Sequence, residues 1–131
     1  MALLRRRKRQ KPESMATGAK PLKPFYSKIA GVTRKNPDGT SRQRLLKRCK
    51  VGQPLKLVRE PGNPKDENAV MVLTMDGKQL GYLNADIARE IAPRLDAGSR
   101  VDCEISDLTG GGWLRKRTRG CNIKITKYSM R

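Results

Sequence analysis

Histidine is absent from the 131 residues. Its absence removes Ser-His-Asp and Cys-His catalysis, and His-ligated zinc. Cysteine is scarce and scattered. Cys49, Cys103 and Cys121 lie far apart with no C-x-x-C pair, which suits neither a disulfide framework nor a zinc site. Each is expected to behave as a small core hydrophobe in a reducing compartment. No apolar run is long enough to span a bilayer. Met1-Ala2-Leu3-Leu4 is too short for a signal-peptide apolar region and stands on the wrong side of the arginines. A soluble, intracellular protein is expected, cytoplasmic or, in a bacterium, nucleoid-associated. No cofactor or metal is expected. Acids are also few, 12 against 30 Lys and Arg, and the formal net charge is +18.

That charge has two parts. Residues 1–24 hold Arg5, Arg6, Arg7, Lys8, Arg9, Lys11, Lys20 and Lys23 against Glu13 alone, a net of +7. They lack periodic apolar residues and are expected to form a disordered basic arm. The remaining +11 belongs to residues 25–131, about a hundred residues that can bury one modest core. A basic domain behind a basic arm is the electrostatic footprint of a polyanion binder, and nucleic acid is the expected polyanion. A membrane surface is disfavoured, because no basic helix carries a large apolar face.

Residues 25–32 form a strand candidate, and Asn36-Pro37-Asp38-Gly39 a strong turn. Ser41 suits an N-cap for a helix over 42–50, with Leu45, Leu46 and Cys49 inward and Arg42, Arg44, Lys47 and Arg48 outward. Gly52 is the expected terminator. Strands are expected over 55–59, 69–74 and 79–83, with Asp76-Gly77 turning the hairpin. Asn84 caps a second helix whose Ile87, Ile91 and Leu95 share one face; Pro93 should kink or divide it, and Gly98 close it. Val101, Cys103 and Ile105 alternate along a strand over 100–106, and Cys121, Ile123 and Ile125 along one over 120–128. Five or six short strands with two short helices give a mainly β fold, a small barrel or curled sheet.

Residues 59–72 contain the stretch around which these elements are arranged. Pro61 and Pro64 fix φ and remove donors. Gly62 can take positive φ, and Asn63 or Asn68 can close Asx turns. A stiff loop between two strands follows, either a functional loop on a rigid scaffold or an ordinary connection.

Its residues also carry a resemblance. The string Ala30-Gly31-Val32-Thr33, Gly39-x-Ser41-Arg42-Gln43, Val51-Gly52-x-x-Leu55-x-Leu57-x-Arg59-Glu60-Pro61-x-Asn63-Pro64-x-Asp66-x-Asn68-Ala69-Val70, then Gly81-Tyr82-Leu83 and Ala88, resembles the HIRAN domain over roughly residues 25–128. The resemblance implies a small OB-like six-stranded β-barrel with helices, of the stand-alone, bacterial type. It also implies a role: relatives fused to helicases capture the 3′ end of single-stranded DNA, and others are fused to nucleases. By position, the resemblance puts Thr33, Arg34 and Lys35 in the pocket wall. Gly62, Asn63, Lys65 and Asp66 would form the floor, with Tyr82 beside them. Asp66 would accept from a 3′-hydroxyl and repel a terminal phosphate, while Asn63 could donate to a phosphate and fix the loop. End-binding relatives carry aromatics where this chain has Arg34, Lys35 and Lys65. Base–aromatic stacking is worth about 1–3 kcal/mol per base, so weaker end selectivity and steeper salt dependence are expected.

Other residues are open to two readings. Trp113 with Arg115 and Arg117 could track a strand, or Trp113 could be buried beneath solvated cations. The outward face of the first helix, Arg42 included, could contact phosphate. Glu60, Asp66, Glu67 and Asp76 fit no strand-borne nuclease motif, so no enzyme is expected. The expected function is a single-stranded DNA binding module recognising 3′ ends at forks or repair intermediates. The alternatives are a general DNA or RNA binder without end selectivity, and an adaptor for a helicase or nuclease partner.

Overall fold

The computed structural model describes residues 19–111 and 118–129. Six strands and two helices follow in the order β1 (Phe25–Ala30), α1 (Arg42–Lys47), β2 (Pro54–Arg59), β3 (Val70–Thr74), β4 (Gln79–Leu83), α2 (Ala85–Asp96), β5 (Val101–Thr109) and β6 (Gly120–Lys127). The strands close into a barrel ordered β1-β4-β3-β2-β5-β6. Every neighbouring pair is antiparallel. Closure removes free sheet edges.

Alternation along the strands builds the core. On β6, Cys121, Ile123 and Ile125 face inward and are buried; on β5 Cys103 and Ile105 do so, and on β3 Val70 and Val72. The three cysteines are free and buried. Burial pushes the Cys103 and Cys121 thiols up to about 12, so they act as inert hydrophobes. β5 runs three residues further than alternation alone suggested. A bulge between Ile105 and Asp107 re-phases its pairing with β6.

Helix α2 packs on β2, β3 and β5 through Ala88, Ile91 and Ala92, all fully buried. Asn84 accepts from Ile87 N at 3.0 Å, and Asp86 sits in the first turn where the dipole favours an acid. Gly98 N bonds Leu95 O and Ser99 N bonds Arg94 O, a Schellman closure. Pro93 neither divides nor breaks the helix, which runs unbroken to Asp96. Only the last turn lies beyond it, and the proline costs the helix the one N–H that would bond Arg89 O.

Helix α1 is shorter than expected, ending at Lys47 and not at 50. Arg48 N and Cys49 N bond back to Leu45 O and Leu46 O, tightening the end into 3₁₀-type bonds. Gly52 does not terminate the helix. Its N–H bonds Ile105 O at 2.7 Å, so it docks the following turn onto β5. Residues 20–22 run beside the chain's other end: Leu22 N bonds Lys127 O, and Lys20 exchanges bonds with Ser129. Residues 1–18 of the expected basic arm lie outside the described residues.

Candidate nucleic-acid interface

The loop between β2 and β3 is as stiff as its composition implies. Glu60 N bonds Ala69 O, closing it at 2.9 Å. Arg59 clamps it from below, donating to Ala69 O, to Glu67 O and to Asp96 of α2. Asn63 Oδ1 accepts from Lys65 N at 2.8 Å and Asp66 N at 3.1 Å. Asp66 Oδ1 in turn accepts from Asn68 N at 2.8 Å. The Asx turns are thus closed by Asn63 and Asp66, not by Asn68. Gly62 does not use positive φ; Pro61 and the Asn63 turn already shape the chain there.

One Glu60 oxygen joins this loop to the barrel. Its Oε1 accepts from Asn63 Nδ2 at 2.8 Å and from the Tyr82 hydroxyl at 2.6 Å. Those two hydrogen bonds, Tyr82 first, hold the Glu60 carboxyl below its ordinary range, with Arg42 adding to the effect. Burial, then the bond to Glu60, pushes the Tyr82 phenol up. The pair therefore stays ionised carboxylate and neutral phenol through neutral pH.

Arg42 overturns an expectation. It opens α1 but points inward and is only 4% exposed. Its Nε donates to Asn36 Oδ1 at 2.6 Å and its Nη1 to Gly31 O at 2.9 Å. The guanidinium lies 5.6 Å from the centre of the Tyr82 ring. Burial pulls its pKa down, yet an arginine remains charged. Asn36 is itself buried and anchored to Thr40 and to Gln79 O. Gly31 is required here: its φ is +76°, and an added Cβ would stand 3.1 Å from Arg42 Nη1.

These residues surround a pocket of about 480 Å³. The end of β1 (Ala30, Gly31), β4 (Tyr82, Leu83), Arg34, Arg42 and the loop's Asn63, Pro64, Lys65, Asp66 and Ala69 line it. Arg42 Nη2 and Asp66 Oδ2 have no hydrogen-bond partner among the described residues. The pocket therefore presents a fixed, buried cation together with a carboxylate oxygen able to accept.

Six of the expected site residues meet here: Arg34, Arg42, Asn63, Lys65, Asp66 and Tyr82. Thr33 and Gly62 are exposed and do not line the pocket. Lys35 lines a second groove on the other side of its turn. Trp113, Arg115 and Arg117 lie outside the described residues. Sequence reasoning missed Glu60 as the hub and Asn36 as the anchor of Arg42. The only local sign was an acid at the loop's hinge and an asparagine in a turn. Among the described residues no group of three Cys, Asp or Glu could hold a metal, and no helix is long and apolar enough to cross a membrane.

A closed antiparallel barrel with a mostly apolar pocket carrying a few charged groups, at the mouth of one loop, defines a small OB-like binding module. Residues 25–107 match the HIRAN domain, and the chain belongs to that family. The fold agrees with solved structures. The HIRAN domain of human HLTF superposes with a TM-score of 0.63 at 17% identity, covering 85% of this chain and 79% of that one. A protein from Lactobacillus plantarum gives 0.58 at 22% identity, covering 82% and 95%. A curated relative, the Fanconi-associated nuclease 1 homolog of Arabidopsis thaliana, is 41% identical over 46 residues. That match takes in 35% of this chain and only 5% of the plant protein.

Proposed function

We propose that this chain is a non-enzymatic DNA-binding module that captures the 3′ end of a single strand in the pocket beside Tyr82. Family membership supports DNA binding, and the +18 charge supports a polyanionic partner. The observation that carries end capture is the pairing of Arg42 with Asp66 in one pocket. A free 3′-hydroxyl is a neutral donor, suited to the open oxygen of Asp66. A terminal phosphate in the same place is repelled by that carboxylate. Arg42, already desolvated and held by Asn36 and Gly31, can donate toward the terminal nucleotide with little ordering cost. Asn63 spends its side chain on the loop and on Glu60, so it acts by shaping the floor.

Arg34 and Lys65 at the pocket rim are exposed and can meet the backbone. They also favour a second reading, a general strand binder without end selectivity. A hydrogen bond to a charged group is worth about 1.5–3 kcal/mol. Asp66→Ala is therefore expected to lower the preference for 3′-hydroxyl over 3′-phosphate ends by roughly tenfold or more. Lys65→Ala should weaken all strands alike. The reverse pattern in an anisotropy titration would sink these roles and leave the general binder. A helicase or nuclease partner would act on the end so held, as an extension of the same proposal.

A further inference from the structure

Lys35 is displaced from the pocket but not idle. With Arg44, Arg48 and Lys78 it lines a second groove of about 680 Å³. The four cations come from three segments: the turn after β1, helix α1 and the β3–β4 hairpin. All four are exposed. None makes an ion pair at contact distance among the described residues. The groove's one acid, Asp38, is bound by Thr40 N at 3.0 Å and by Thr40 Oγ1 at 2.7 Å. The walls are fixed. Lys35 bridges Ser41, Asn36 N bonds Thr40 O, and the Asn36 side chain ties the segment to Gln79. Gly39, Thr40, Ser41 and Leu45 complete the lining, which holds no aromatic.

We infer that this groove is a second nucleic-acid subsite. It holds the phosphodiester backbone of the strand just upstream of the nucleotide in the pocket. The inference rests on the proposed end capture. Four cations free of contact ion pairs around one hydrogen-bonded acid suit phosphates, and the missing aromatics exclude base stacking as the source of grip. Continuity comes from the chain itself: Arg34 lines the pocket and the next residue, Lys35, lines the groove. A strand leaving the pocket over that turn meets the groove next.

The test is the length dependence of binding. Oligonucleotides with a 3′-hydroxyl, from about two to about twelve nucleotides, bracket the reach of one barrel. They are titrated against the full chain and against Arg44→Ala/Arg48→Ala; both side chains are exposed and outside the pocket. Wild-type affinity should climb with length and then level. In the double variant the climb should largely vanish while dinucleotide affinity stays put. The slope of log K against log salt for the longest strand should become shallower by about 1.4, for two phosphates at ~0.7 each. Arg44→Lys/Arg48→Lys should restore both. A double variant with wild-type length dependence and slope overturns the groove. So does an equal loss at every length, or a climb produced only by a complementary strand. The pocket is scored separately. Loss of 3′-hydroxyl preference with the groove effect intact overturns end capture alone, and the converse result overturns the groove alone.

Discussion

Arg42 is a buried charged side chain that holds the fold together and also lines the candidate pocket. Its guanidinium satisfies Asn36 Oδ1 and Gly31 O inside the fold and still reaches the pocket. Arg42→Ala leaves those acceptors unmet, at a cost of about 1–3 kcal/mol by denaturant titration. Arg42→Lys should fail in the same direction, since an ammonium cannot reproduce the fork. A change under about 0.5 kcal/mol for both would contradict this placement. Glu60 makes a pH-dependent prediction. Its folded pKa lies below the ordinary 4.5, so its contribution to stability is present above that value. That contribution is lost as pH falls through the depressed folded value. Glu60→Gln should therefore be destabilised relative to wild type at neutral pH, and the gap should close in acid. Denaturant midpoints for both proteins across that range check it; a gap constant with pH would contradict the role given to the carboxylate.

At the scale of elements, β1 and β4 approach each other closely at Gly81. A Cβ on Gly81 would stand 2.3 Å from Ala30 O and 2.6 Å from Ile29 Cγ2. Gly81→Ala should cost about 1–3 kcal/mol or more and disturb the pocket, because Ala30 and Tyr82 line it. Gly62→Ala meets open space and should be neutral or stabilising by up to about 1 kcal/mol. Thermal unfolding of the pair separates the two; equal midpoints would contradict the close approach. The strands were legible because most of their inward residues alternate, as Cys121, Ile123 and Ile125 do. Asn84 and Gly98 likewise marked the ends of α2. The end of α1 was not legible, since 3₁₀-type bonds stop it before any breaker residue. Asn63 and Asp66 were legible in the site through the family resemblance, and the Asn63 turn because turn chemistry is local. Arg42 was expected at the interface, but its burial was not legible. Its partners, Asn36 and Gly31, are set by the path of the chain after β1, and a charge on a short helix reads as solvated.

For the molecule as a whole, charge and shape divide the work. On the proposed function, the cations set affinity for any polyanion and make it salt-dependent, while the pocket supplies discrimination. Residues 1–18 carry six cations, Arg5, Arg6, Arg7, Lys8, Arg9 and Lys11. Their deletion should weaken binding to every end alike, most at low salt, and leave the ratio between ends unchanged. If deletion abolished binding, the barrel would be an adaptor and the arm the binder. The central claim is that the barrel's pocket reads a free 3′-hydroxyl. Anisotropy with one sequence ending in 3′-hydroxyl, in 3′-phosphate or in a blunt duplex tests it most directly. The 3′-hydroxyl strand should bind tightest of the three, whereas equal affinity for all three would contradict end capture.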